Sequence, residues 1–449
     1  MMARARGRRL RVTFLGGAHR GHGLGHTVPA YGLERPRPMT PPPPLAAPRP
    51  PEDRLHLMDA LRGLALLGIL LMNIEFFNRS VHDFMGGIDT SPGAAGIAAW
   101  IVYVFVQGKF WVLFSLLFGM GFALMQDRLE STGRPFGRLY FRRTLALMAF
   151  GLLHIVLLWP GDILFAYSIT ALMLLAFLQV RGVAVLVTGV GLYFGVSALW
   201  VLLGWAMGLM PEDARLEMAA EMGDPLALAA ESNRIYATGG FLEISLHRAQ
   251  EYFTVMLQTV LMFQVPMALG VFLIGAWLLR SDRIQNASAH LRFWTMTLLL
   301  GGAVGAFFVH ASLSVGLSFD VRTEMGDALL AAGLMSLGSL PLSMAYLAAF
   351  VLLFQTALGA RVLGLLAPAG RMALTHYLLQ SLVCSLLFYG YGLGWYGEVD
   401  RWGQVQIAFM IFAAQVALSP LWLRHFRYGP LEWFWRGLTY GHLPALRTS

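Results

Sequence analysis

The chain has 449 residues, is 57% hydrophobic and only 13% charged, and has a mean hydropathy of +0.61. No soluble domain of this length needs so much apolar surface, and the balance specifies a polytopic membrane protein whose first partner is the lipid bilayer. The formal charge of +8 would suit nucleic acid, but the arginines lie between apolar spans, where membrane-helix flanks carry them for orientation, so no nucleic-acid partner is expected.

Residues 1–56 are Arg-rich and then Pro-rich (MTPPPPLAAPRPP), with no hydrophobic period, and read as a disordered tail. The pair Arg8-Arg9 precedes an apolar stretch too short for an export signal. Met39 is an alternative start, which would make residues 1–38 an over-extended reading of the gene.

The stretch Leu57–Phe77, LMDALRGLALLGILLMNIEFF, organises the rest of the chain. Asp59 and Arg62 are three apart and share a helix face at the membrane edge. Arg62 and Asn73 are close to three full turns apart, so they point the same way from opposite ends. An ionised group at the centre of a membrane helix costs roughly 2.5–3.5 kcal/mol, so such a polar stripe faces protein or water. A plainer role for Asp59 and Arg62, anchoring in the head-group region, stays open.

Apolar spans fall at 61–77, 98–125, 141–159, 163–179, 183–209, 254–279, 293–316, 330–356, 372–391 and 404–423. They predict an all-α fold of about ten transmembrane helices, five within 57–210 and five within 253–449. With the N-terminus inside, fifteen arginines flank the inner ends after the first span (128, 134, 138, 142, 143, 181, 280, 283, 292, 361, 371, 424, 427, 436, 447) and six lie outside (79, 215, 234, 248, 322, 401). The positive-inside bias therefore predicts both termini in the cytoplasm. The one sizeable loop, 211–252, is then extracytoplasmic; eight acids against Arg215, Arg234 and Arg248 predict amphipathic helices, serving as a lid or as a solvated spacer.

The second span contains Gln107-Gly108-Lys109-Phe110, where glycine permits a break and Lys109, the only lysine, needs a carboxylate or water. The third ends His154-Ile-Val-Leu-Leu-Trp159-Pro160-Gly161-Asp162, which sets a histidine near a carboxylate across a helical hairpin, the arrangement that orients a general base. Asn73, Glu75, His82, His154, Asp162 and His310 all fall at outer helix ends and predict a shared aqueous pocket. At the inner ends stand Asp59, Arg62, Arg142, Arg143, Arg371 and His376, the last sharing a face with Gln380. Such an arginine group suits the phosphates of a nucleotide-bearing ligand and suits lipid head groups equally. No P-loop, no dinucleotide fingerprint and no metal-spaced Cys/His set is present, and the single Cys384 rules out an intrachain disulfide.

The stretches DALRGLALLGILLMN (59–73), GKFWVLFSLLFGMGF (108–122), HIVLLWPGDILFAY (154–167), IYATGGF (235–241), GRMALTHYLLQS (370–381) and FRYGPLEWFWRGLTYG (426–441) resemble the YeiB-like family of bacterial inner-membrane proteins. The family commonly has Asn where this chain has His376. More distantly, the D-x-x-R-G…N opening is similar to transmembrane acyltransferases, including heparan glucosaminide acetyltransferase and the sugar O-acyltransferases. The resemblance implies an acyl-CoA co-substrate bound from the cytoplasm and a histidine acting on an outer acceptor, a glycan, lipid or small molecule. On this expectation Arg62, Arg142, Arg143 and Arg371 hold the donor, His154 oriented by Asp162 is the base, and Asn73 or Lys109 stabilises the oxyanion. A transporter or flippase of an anionic or amphipathic molecule would use the same polar helix ends.

Overall fold

The computed structural model describes residues 56–448 apart from 134–135, 222–224 and 321. The expected disordered tail, apart from His56, which begins the first helix, and the alternative start at Met39 lie outside these residues. The helices begin with α1 (His56–Phe76), α2 (Ala94–Phe105), α3 (Lys109–Ser131), α4 (Phe136–Leu157), α5 (Leu164–Leu174) and α6 (Val183–Gly208). The next loop folds as α7 (Glu212–Glu221), α8 (Pro225–Thr238) and α9 (Phe241–Glu251). Helix α9 runs on through a π-helical turn (Tyr252–Met256), α10 (Leu257–Thr259), a second π turn (Val260–Gln264) and α11 (Val265–Arg280). Then come α12 (Leu291–Val315), α13 (Met325–Phe354), α14 (Ala357–Gly364), α15 (Ala367–Arg371), α16 (Ala373–Phe388), α17 (Arg401–His425) and α18 (Pro430–Tyr440). Among the described residues there is no β-strand, only two isolated bridges.

Among the described residues, eight helical columns are long and apolar enough to cross a bilayer, and two shorter apolar helices, Leu164–Phe177 and Ala373–Phe388, stand where the sequence places the remaining spans. The chain is an all-α polytopic membrane protein, the architecture that satisfies every backbone group inside lipid. The end of the bundle where α1 begins is termed proximal and the opposite end distal.

In the most apolar stretch of α1, 72% of residues are buried, against 17% in the α12 column, so α1 is the central helix and α12 a peripheral one. Helix α1 meets α15 backbone to backbone: a side chain at Gly63 would strike Leu366, and one at Gly370 would strike the Asp59 carbonyl. That close crossing sets Arg371 beside Asp59 and Arg62 at the proximal end. Between α2 and α3 the chain breaks at Gly108, whose φ of 79° favours glycine, and the break turns Lys109 toward α13. At the distal end, the Ser80 amide and the Tyr396 hydroxyl both donate to Asn233 of α8 (3.1 and 2.8 Å). The 225–251 segment is thereby tied to α1's exit and to the 389–400 loop.

A cationic cavity backed by a buried His–Asp pair

A cavity of about 360 Å³ opens among α1, α3, α4, α16 and α18 at the proximal end. Arg62, Arg128, Arg143, Arg371 and Arg436 line it with only two carboxylates, Asp59 and Glu432. Asp59 is paired with Arg62 at 2.7 Å. Glu432 is committed elsewhere: its oxygens accept the Leu374 and Thr375 amides (2.7 and 3.1 Å) and the Thr375 hydroxyl, capping the start of α16. Burial pushes the Glu432 carboxyl above its ordinary value, against the downward pull of those hydrogen bonds. The mouth therefore keeps an excess of guanidinium charge. Two of its arginines lie over aromatic faces, Arg143 3.6 Å from the Trp435 ring and Arg436 4.6 Å from Tyr428, which holds the planar donors in place. Arg371 makes only a long contact to the Arg427 carbonyl, 3.5 Å, and its Nε has no partner among the described residues.

Deeper in, Leu66, Ile69, Phe114, Phe118 and Tyr167 give the cavity apolar walls, and Ile163 and Tyr377 close its floor. The Tyr377 hydroxyl accepts the Ile163 amide at 3.3 Å, and its ring centroid is 5.1 Å from that of His154. Behind this floor, His154 Nδ1 and Asp162 Oδ1 meet at 2.8 Å, with the two residues 1% and 3% exposed. The turn Trp159–Asp162 folds back so that Asp162 also accepts the Phe165 amide at the start of α5, fixing its carboxylate toward α4. With a carboxylate accepting from Nδ1, the ring proton sits there and the Nε2 lone pair is free; Nε2 has no partner among the described residues.

The other sequence-derived candidates are dispersed. Arg142 is exposed, donates to the Leu438 carbonyl at 3.1 Å and does not line the cavity. Asn73 is half-buried on the α1 face that carries Leu66 and Ile69, one turn beyond them. Lys109 is fully buried, but its Nζ donates to the Tyr103 carbonyl (3.2 Å) and Met335 Sδ (3.0 Å), on the α13 side. Glu75 pairs with Arg79 (2.9 Å) and Arg401 (3.1 Å), and His82 stands 3.6 Å from Glu251. His310 is exposed on α12, so the six polar helix ends do not form one group. His376 Nε2 meets the Ser419 hydroxyl (2.7 Å), and Gln380 donates to Gln415 (2.8 Å), which joins α16 to α17 away from the cavity. Arg248 is buried and donates to the Val156 carbonyl at 3.0 Å. Sequence reasoning missed Tyr377, Arg128, Tyr428 and the whole contribution of α18: Glu432, Trp435, Arg436 and Tyr440. The signal was the amphipathic PLEWFWRGLTY itself, a polar face interleaved with aromatics beside a membrane span.

Fold and cavity together define a polytopic membrane protein with a cationic pocket at one end, whose lining residue Tyr377 packs against a buried histidine–carboxylate pair. Residues 278–442 match the family described as protein of unknown function (DUF418). The chain is 31% identical over 406 residues to the uncharacterised protein YxaH of Bacillus subtilis, covering 86% of this chain and 94% of the relative. It is 30% identical over 397 residues to the uncharacterised protein YeiB of Escherichia coli, covering 86% of this chain and 96% of that one. An uncharacterised 39.9 kDa protein of Bacillus acidopullulyticus is 27% identical over 392 residues. No solved structure is significantly similar to the chain. The chain belongs to the YeiB-like DUF418 family.

Proposed function

We propose that this protein is a transmembrane acyltransferase of the bacterial inner membrane, with the proximal end and both termini in the cytoplasm. The observation that supports this reading is an arginine-rich pocket whose lining residue Tyr377 packs, ring to ring at 5.1 Å, against His154 of the His154–Asp162 pair. Guanidinium groups over aromatic rings suit the phosphates of an acyl-CoA, and the apolar walls suit its thioester arm. A displaced Tyr377 ring would bring the thioester to His154. There Nε2 takes the proton of an acceptor hydroxyl or amine as its oxygen or nitrogen attacks the thioester carbonyl. The new C–O or C–N bond forms, the C–S bond breaks, and the same proton returns to the departing thiolate.

One observation favours a carrier instead: Asn233 of α8 accepts from Ser80 and Tyr396 at the distal end, a contact that a carrier would release when that side opens. The two readings separate on donor binding. Purified protein titrated with acyl-CoA should bind it below millimolar concentration, and Arg371→Ala should weaken that binding. Absence of binding at millimolar donor would leave the carrier.

A further inference from the structure

Helix α9 presents Ser245, Arg248 and Tyr252 at positions i, i+3 and i+7, one face of a helix. These three residues are 5%, 0% and 0% exposed. Ser245 Oγ, Arg248 Nε and Nη2, and the Tyr252 hydroxyl have no hydrogen-bond partner among the described residues. A run of buried, unpartnered donors on one face is costly, about 1–3 kcal/mol for each group, more for a charged one. It is the state expected of groups kept for a ligand. Arg248 is the telling member. One of its nitrogens is anchored on the Val156 carbonyl, two residues beyond His154, and no carboxylate is paired with it among the described residues.

The same face packs on the α4–α5 hairpin that carries the His154–Asp162 pair. Arg248 meets the end of α4 just past His154, while the Tyr252 ring lies 6.0 Å from Phe165, whose amide binds Asp162. His154 Nε2 is itself unpartnered and buried among the described residues. Immediately after α9 the helix widens into the π turn Tyr252–Met256, a distortion that recurs at functional sites. The nearby acid, Glu251, is already surrounded by Ser232 (2.7 Å), Tyr236 (2.6 Å), His247 (3.3 Å) and His82 (3.6 Å). That cluster is not a nucleophile triad, because Ser232 and Glu251 meet the same nitrogen of His247, Nε2.

We propose that Ser245, Arg248 and Tyr252 form a buried anion-binding site beside His154, taking a carboxylate or phosphate group of the distal reactant. The guanidinium fork offers two free N–H donors to a planar or tetrahedral oxyanion, and the hydroxyls of Ser245 and Tyr252 extend the row. As the acceptor site of the transferase this rests on the acyl-transfer reading; as an anion site it stands independently. It names the acceptor class: a hydroxyl or amine compound that carries a negative group.

The test is thermal unfolding of purified full-length protein in detergent, with sodium phosphate or sodium acetate against chloride at matched ionic strength. The proximal arginines also attract anions, so the reading is a difference. Arg248→Gln loses a component of the stabilising shift that Arg143→Gln retains. The larger shift, phosphate or acetate, identifies the anionic group. The proposal is overturned if wild type shows no anion-dependent shift, or if Arg248→Gln responds like wild type. Should Arg248→Gln not fold, the Ser245→Ala/Tyr252→Phe double variant keeps the charge and is expected to weaken the apparent affinity about tenfold; an unchanged response overturns the site. Acyl-CoA titrated into the same samples reads the donor pocket separately. Loss of acyl-CoA binding with the Arg248-dependent shift intact would sink the transferase and leave the anion site standing.

Discussion

His154 Nδ1 lies 2.8 Å from Asp162 Oδ1 across the turn that joins α4 to α5, and this contact settles which ring nitrogen holds the proton. The free Nε2 is then the only basic position the ring can offer a reactant. Because Asp162 also caps α5, its two roles can be separated by substitution.

Asp162→Asn keeps a good capping side chain, so the α4–α5 hairpin should form and the protein should insert normally. It no longer fixes the histidine tautomer, and the transfer rate is expected to fall by on the order of 10²–10⁴-fold. Transfer rate measured beside detergent-extracted protein yield checks this; an unchanged rate removes Asp162 from the reaction.

Lys109→Met should leave the melting temperature at or above that of wild type. The substitution orphans the Tyr103 carbonyl, at about 1–3 kcal/mol, but removes a fully buried ammonium with no paired carboxylate among the described residues, which costs several kcal/mol. Thermal unfolding in detergent decides it. A clear fall would mean that Lys109 is neutralised by a group not evident from its two contacts.

Much of the architecture was legible because lipid leaves few options. The apolar stretches read from hydropathy reappear as helices among the described residues, eight of them in columns long enough to cross a bilayer and two shorter, since a membrane segment must satisfy its backbone internally whatever its neighbours are. His154 and Asp162 were legible together because a Pro-Gly turn leaves the hairpin little freedom to place them apart. Polar residues at one depth were not a guide to contact. Depth along the bundle says nothing about rotation around each helix, so His310 faces outward while Glu75 turns to Arg401. Lys109 is the sharpest case, since only the left-handed Gly108 sends it toward α13. The α18 residues escaped because an interfacial helix has no spanning signal, and its cavity role depends on how it folds back over α4 and α16.

Arg371→Ala should weaken donor binding by about 10- to 100-fold, the worth of one charge-assisted hydrogen bond of roughly 1.5–3 kcal/mol. Its side chain has only the long contact to Arg427 to lose, so the fold should be unaffected. Isothermal titration with acyl-CoA checks the affinity, and circular dichroism checks the fold.

Glu432 should couple stability to pH. Burial raises its carboxyl above the ordinary 4.5, so the folded protein holds a proton that the unfolded chain releases earlier. That contribution is fully present below the unfolded value and is lost as pH rises through the higher folded one. The difference in melting temperature between wild type and Glu432→Gln should therefore shift against wild type as pH climbs through that window. A difference that is flat with pH would show that Glu432 does not titrate there.

The most direct test reconstitutes the protein in liposomes, with labelled acyl-CoA on the proximal side and anionic glycans, lipids or small hydroxyl and amine compounds on the distal side. Wild type should pass label to a distal compound, whereas His154→Ala, inserted and folded, should reduce transfer to background while still binding donor. Transfer at the wild-type rate by His154→Ala would contradict the account.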